Sequence, residues 1–298
     1  MFYRAREEGG DESRNRQRVE RIRERNGEER GLMMKFAVNV STIFTEAPFL
    51  ARFAKVKQHG FSLVECQFPY VAVPEAIADK LEEYELSLVL INLPAGDWES
   101  GERGLAILPD RHDDFRRALE KGMRYALALD VPRLHCMAGV MPAGLPRERA
   151  KEIYMRRLDE AAAALGVHGL TLTIEPINPL DMPGYFLTDI SEAAAVIRDL
   201  GRPNVKMQYD MYHMARLGLE VTATFLAYEP LIDHVQFADA PGRHEPGTGA
   251  LPYHEIFSFL QERGYGGAIG LEYIPSGESG ESFAWYDEYR TMKGGRGR

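Results

Sequence analysis

Several common functional signatures are missing from this 298-residue chain. No apolar run approaches the roughly 18 residues needed to cross a bilayer, so no membrane span is expected. An excess of basic charge is missing too: the net charge is −9, which disfavours a nucleic-acid partner, because phosphate backbones are held by basic surfaces. There are only two cysteines, Cys66 and Cys136, both in strand-like runs. They predict reduced core residues of a cytoplasmic protein and not a disulfide framework. No cysteine pair or histidine spacing suits a structural zinc site. There is no Gly-x-x-x-x-Gly-Lys run, no Gly-x-Gly-x-x-Gly after a strand, and no nucleophile-elbow serine. Phosphate-cradling loops and hydrolase triads of that kind are thereby excluded.

What is present falls into two regions. Residues 1–33 are crowded with Arg and Glu, poor in apolar residues, and free of a secretory or transit pattern. A charged, solvated arm is expected there, and Met33-Met34, directly before the first strand, marks the expected natural start. From residue 34 to 298, strand-like and helix-like stretches alternate. Strands are predicted over Phe36–Val40, Phe61–Cys66, Leu86–Ile91 and Arg133–Met137, then at Thr171, Val205, Ile232 and Ala268. Helices are predicted over Glu46–His59, Pro74–Tyr84, Asp113–Leu129, Pro146–Leu165, Asp189–Leu200, Val221–Tyr228 and Tyr253–Arg263. About eight strand–helix units in one run give a single (β/α)₈ barrel, an α/β fold with one catalytic domain.

The chemistry is concentrated at the strand ends. Thr171-Leu172-Thr173-Ile174 runs into Glu175, and Pro176 ends the ladder. Val205–Tyr209 closes on Asp210, Ile232–Val235 on Gln236, and Ala268–Leu271 on Glu272. Barrel enzymes keep their active sites where strands end, so these groups would converge on one point. Three carboxylates and one amide oxygen suit a hard divalent cation, Mg²⁺ or Mn²⁺. Glu175 and Glu272, from opposite sides of the mouth, form the candidate acid–base pair. His213, three residues after Asp210, and Arg243, in a Pro- and Gly-rich loop, are candidates for holding substrate oxygens and a carboxylate. The long loop after the third strand carries Trp98 and reads as a lid. His234 is expected one layer below Gln236. His135 either lines the mouth or is a satisfied core imidazole.

These residues fall in long motifs. Asn92-Leu93-Pro94-Ala95-Gly96-Asp97-Trp98 with Gly101-Glu102-Arg103-Gly104 closely resembles the loop of hydroxypyruvate isomerases. So do Ile174-Glu175-Pro176-Ile177-Asn178, Tyr209-Asp210-Met211-Tyr212-His213, and the segment from Gly242 through Arg243 to Gly249. The likeness runs from Lys35 to Arg290 and implies a xylose-isomerase-like barrel. It implies a shift between hydroxypyruvate and tartronate semialdehyde through an enediol. By the resemblance, Glu175 and Glu272 are the acid–base pair. Glu175, Asp210, Gln236 and Glu272 hold the metal, and His213, Arg243, Glu102 and Trp98 face a small α-keto or hydroxy acid. Gln236 matches the hydroxypyruvate branch, whereas sugar epimerases use a His there. Ala250-Leu251-Pro252 departs from the more acidic and polar segment expected after Thr248-Gly249. Isomerases of 2-oxotetronate share most of these motifs, and ketose 3-epimerases share the barrel. A metal nuclease or a non-catalytic barrel fits less well, and the sequence leaves a homo-oligomer open.

Overall fold

Eight parallel strands close into a barrel in sequence order, each joined to the next by helical segments. They are β1 Lys35–Asn39, β2 Leu63–Cys66, β3 Ser87–Asn92, β4 Arg133–His135, β5 Thr171–Ile174, β6 Val205–Asp210, β7 Ile232–Phe237 and β8 Ala268–Leu271. Closure is made by β1 on β8, from Lys35 opposite Ala268 to Val38 opposite Leu271. The computed structural model describes residues 34–294, so the expected arm over residues 1–33 lies outside the described residues. Among the described residues, no helix is long and apolar enough to cross a membrane.

The strands form because their apolar residues are covered on both faces, as a parallel barrel inside a ring of helices requires. Val38, Val64, Leu134, Leu172, Ile174, Val235 and Ile269 are all fully buried. The helices are α1 Arg52–Gln58, α2 Pro74–Glu83, α3 His112–Ala128, α4 Arg147–Gly166, α5 Ile190–Leu200, α6 Met211–Arg216, α7 Val221–Tyr228, α8 Tyr253–Glu262 and α9 Ala284–Gly294. Their buried residues recur at helical spacing. In α3 these are Phe115, Ala118, Leu119, Gly122, Tyr125 and Ala126. Cys66 and Cys136 are free and buried, as expected.

Three elements differ from the sequence reading. The helix expected over Glu46–His59 begins only at Arg52, after a 3₁₀ turn at Phe49–Ala51. Pro48 is the cause, because its ring drives the preceding residue out of the helical region. The short helix α6 starts directly at the end of β6, with the Asp210 carboxylate accepting from the Tyr212 N–H. The chain also continues past β8 into α9, whose Trp285 and Tyr289 pack edge-on against Phe36, with ring centroids 5.1 and 5.5 Å away.

The long loop between β3 and α3 is pinned at several points. Leu93 N–H donates to His135 O, and Ile107 N–H donates to Ala138 O, which ties the loop to the end of β4. Gly104 sits at φ +129°, and a Cβ there would lie 2.3 Å from Met137 O. Gly104→Ala is therefore expected to lower stability by at least about 1–3 kcal/mol from the backbone strain alone. Thermal denaturation checks this, and an unchanged Tm would contradict the packing described.

Candidate active site

The four strand-end groups meet at the carboxyl end of the barrel. Glu175 directly follows β5, Asp210 ends β6, Gln236 lies in β7, and Glu272 directly follows β8. All four are buried. A cavity of about 140 Å³ opens beside them; Glu175, Gln236 and Glu272 line it with Trp98, His135, His213 and Arg243, among others, whereas Asp210 is not in its lining. This is well below the roughly 300–1,000 Å³ of sites for drug-sized ligands and suits a very small one.

The carboxylates are crowded around a single guanidinium. Arg243 Nη2 lies 3.4 Å from Asp210 Oδ2 and 3.4 Å from Glu272 Oε1. Glu175 has no cation partner at hydrogen-bond distance. Its Oε1 is buried without a hydrogen bond, 3.6 Å from His213 Nε2. Its Oε2 accepts from Gln208 Nε2 at 3.2 Å and lies 3.7 Å from His135 Nδ1. Burial pushes the Glu175 carboxyl well above the usual range, and the neighbouring charges of Glu272 and Asp210 add to the effect. Burial likewise raises Asp210 to about 7, with Arg243 opposing it. Glu272 is also raised by burial and opposed by Arg243. Burial, then the Arg243 charge, hold the His213 imidazole well below its usual value.

A hard divalent cation fits this donor set on two grounds. The buried, unpartnered Glu175 Oε1 wants a positive or donor partner. Three buried carboxylates with one guanidinium leave excess negative charge in a low-dielectric pocket. One side-chain atom each of Glu175, Asp210 and His213 lies within 4.8 Å of the others, so two of the expected carboxylates face one point with the imidazole beside them.

Beneath this layer runs a directional chain of buried polar side chains. Thr173 Oγ1 donates to Gln208 Oε1, and Gln208 Nε2 donates to Gln236 Oε1 at 2.7 Å. Gln236 Nε2 in turn donates to Glu65 Oε1 at 2.8 Å. Glu65 also accepts from Asn39 Nδ2 at 3.0 Å, and its Oε2 lies 2.8 Å from His234 Nε2. His234 therefore sits below Gln236, as expected. Burial raises the Glu65 carboxyl to about 7, with the Gln236 and Asn39 donors pulling it down.

Arg243 is presented by a built loop. The Asp239 carboxylate gathers the N–H groups of Ala240, Gly247 and Leu251. Arg243 itself takes φ +57°, a strained conformation for a non-glycine residue. Its backbone is fixed by Asp239 O and by the Ile274 N–H, and its guanidinium lies over the Tyr212 ring, 4.9 Å from the centroid.

The chain also matches known proteins. Residues 53–289 fit the model of the xylose isomerase-like TIM barrel family. The chain belongs to that family. Hydroxypyruvate isomerase of Escherichia coli (strain K12) is 41% identical over 258 residues, covering 87% of this chain and 100% of that protein. The 2-oxo-tetronate isomerase of Cupriavidus necator is 38% identical, covering 86% of this chain and 99% of the relative. A crystal structure of AP endonuclease, family 2, from Brucella melitensis superposes with a TM-score of 0.84 at 40% identity, covering 86% and 99% of the two chains.

Within this xylose isomerase-like barrel, the expected substrate-facing residues separate. Trp98 lines the cavity, beside Phe68, with the Arg103 guanidinium stacked 3.9 Å from its ring centroid. Glu102 is not among the lining residues. Its carboxylate accepts from the Asp97 N–H at 2.6 Å and pairs with Arg111, so it braces the loop. His135 is no satisfied core imidazole: both its ring nitrogens are buried and unpartnered beside Glu175. Glu65 and Gln208 had no role assigned from sequence. A charged Glu65 inside an otherwise apolar strand was the signal that could have found the lower layer.

Proposed function

We propose that this chain is an isomerase interconverting hydroxypyruvate and 2-hydroxy-3-oxopropanoate (tartronate semialdehyde), with Mg²⁺ or Mn²⁺ as its metal. The observation that carries the reading is that Glu175 and Glu272, from β5 and β8, close one small cavity into which Arg243 reaches. The 41% identity to a hydroxypyruvate isomerase supports the substrate. Bound by the oxygens of Glu175, Asp210, Gln236 and Glu272, a divalent cation would polarise the substrate carbonyl and the adjacent hydroxyl.

The remaining work belongs to the side chains. One of the two glutamates takes a proton from the hydroxymethyl carbon, and the electron pair moves through the new C–C double bond to the carbonyl oxygen, which is protonated to give an enediol. The enediol then gives up the hydroxyl proton of the former hydroxymethyl group as its aldehyde forms. The former carbonyl carbon receives a proton in the same step, so no net oxidation occurs. Burial raises the carboxyls of both Glu175 and Glu272, so each is a stronger base when ionised than a free carboxylate, which suits this traffic. Arg243 grips the substrate carboxylate, which fixes which carbons face the glutamates.

Loss of that grip has a defined signature. Arg243→Ala is expected to raise KM for carboxylated substrates by about 10–100-fold, the loss of one charged hydrogen-bonded pair. Arg243→Lys, which keeps the charge but not the bidentate fork, should fall between. Steady-state kinetics check both, and an unchanged KM in the alanine variant would assign the carboxylate to another group.

A second reading, isomerisation of 2-oxotetronate, is favoured by the 38% identical relative of that name. Both substrates offer the same carboxylate and hydroxy-ketone to the same residues. The deciding experiment strips the protein of metal, reloads it with Mg²⁺ or Mn²⁺, and compares kcat/KM for hydroxypyruvate, 2-oxotetronate, fructose and an abasic-site DNA duplex. Preference for hydroxypyruvate supports the proposal, and preference for the four-carbon acid keeps the mechanism and changes the substrate. Activity on fructose alone or on DNA alone would overturn it, the latter against a chain of net charge −9.

A further inference from the structure

The segment Glu175-Pro176-Ile177-Asn178 places a second polar residue in the site, and Asn178 is fully buried. Its side-chain amide has four partners that leave only one orientation. Oδ1 accepts from the Leu180 N–H at 3.1 Å and from the Asp181 N–H at 3.0 Å. Nδ2 faces the Asp181 carboxylate at 3.1 Å and His213 Nδ1 at 2.7 Å. Rotating the amide by half a turn would aim its NH₂ at two backbone N–H donors and its oxygen at a carboxylate. The nitrogen therefore points to His213, and the ring nitrogen it meets must be an acceptor.

A neutral imidazole that accepts at Nδ1 carries its proton on Nε2. His213 Nε2 lies 3.6 Å from Glu175 Oε1 and 3.6 Å from Asp210 Oδ2, close to both carboxylates but beyond hydrogen-bond distance of either. We propose that Asn178 is a positioning residue that locks His213 as its Nε2–H tautomer, so that His213 faces the cavity as a hydrogen-bond donor and not as a metal ligand. Ligating a cation through Nε2 would move the proton to Nδ1, where it would collide with the Asn178 NH₂. The cation's protein donors are then oxygens, and the Nε2–H is kept for a substrate oxygen that gains charge as the enediol forms. That last role rests on the isomerase reading above, whereas the tautomer does not.

The test uses the whole chain without substrate. Long-range ¹H–¹⁵N correlation spectra of histidine-labelled protein, metal-free and with Zn²⁺, report which ring nitrogen carries hydrogen. His213 is identified by the signal lost in His213→Asn. Wild-type protein is expected to show a pyrrole-like Nε2 and a pyridine-like Nδ1, unchanged by Zn²⁺. The paired variant N178D/D181N keeps the net charge and the acceptor for the two backbone N–H groups, but turns the atom facing Nδ1 into an acceptor. It should reverse the tautomer and free Nε2 to ligate. Zn²⁺ affinity by calorimetry should rise by about 10–100-fold, the usual reach of a group behind a metal ligand. A wild-type ring protonated on Nδ1 or on both nitrogens, a Zn²⁺-shifted wild-type Nε2, or an unreversed tautomer in N178D/D181N would each overturn the proposal. These results stand whichever substrate the panel above selects.

Discussion

Glu272→Gln is expected to lower kcat on hydroxypyruvate by about 10²–10⁴-fold, the contribution of one positioned acid–base group, and Glu175→Gln to do the same. The amide keeps the size of the carboxylate and an oxygen that accepts hydrogen bonds, but it cannot carry the proton. Glu272 accepts from Gln67 Nε2, and a glutamine oxygen preserves that contact. Glu175 lies between the charges of Asp210 and Glu272, with burial as its main burden. Neutralising it removes like-charge repulsion, so Glu175→Gln should keep or raise Tm. Kinetics and thermal melts on the same preparations separate the two effects. Turnover within threefold of wild type in either variant would remove that residue from the acid–base pair, and lost turnover with a collapsed Tm would point to misfolding.

Removing the metal is expected to abolish activity as fully, and Asp210→Asn to weaken Mn²⁺ binding by about 10–100-fold. Asp210 is fully buried and offers one oxygen to the space beside Glu175. Burial raises its carboxyl against the opposing charge of Arg243, and the carboxyls of Glu175 and Glu272 are raised beside it, so the three together set the pH dependence. Only the ionised carboxylate binds a cation, so below about 7 each bound metal must displace a proton. Affinity should therefore rise as pH increases from 6 to 8, by up to about tenfold per pH unit and per proton below that value. Calorimetry in two buffers of different ionisation enthalpy counts the protons released. Affinity that falls as pH rises would contradict carboxylate ligation, and unchanged Mn²⁺ affinity in Asp210→Asn would show that Asp210 is not among the ligands.

The barrel was legible in the sequence because each strand is a short apolar run with a clear end. Glu175 followed by Pro176 is such an end, and so is Asp210 at the start of α6. The chain itself therefore announces where the polar groups gather. What was not legible depends on closure of the barrel. Glu65 meets Gln236 and His234 across 171 and 169 residues of sequence. Register shifts at Val64/Cys66 and at Met207/Gln208 set which side chains share a layer there. A one-residue slip exchanges the faces of a strand, so no spacing rule reveals such a layer. His135 illustrates the same limit: its identity was plain, but whether its nitrogens had partners was a question only the packed site answers. Glu102 shows the same limit from the other side. Its motif placed it near the substrate, yet Arg111, at the foot of α3, draws it into the loop. Pro48 broke a helix that hydrophobic spacing alone extended across it.

The measurement closest to the central claim follows hydrogen and not rate. Hydroxypyruvate carrying deuterium on its hydroxymethyl carbon is turned over by the Mg²⁺-loaded protein in ordinary water, and the new C–H of tartronate semialdehyde is read by NMR. Transfer through Glu175 and Glu272 exposes the proton to exchange, so a measurable share of product should carry protium at that carbon. Complete retention of deuterium there would mean that the same hydrogen is carried between the two carbons, by a hydride shift or by one shielded base, and would contradict transfer shared between Glu175 and Glu272.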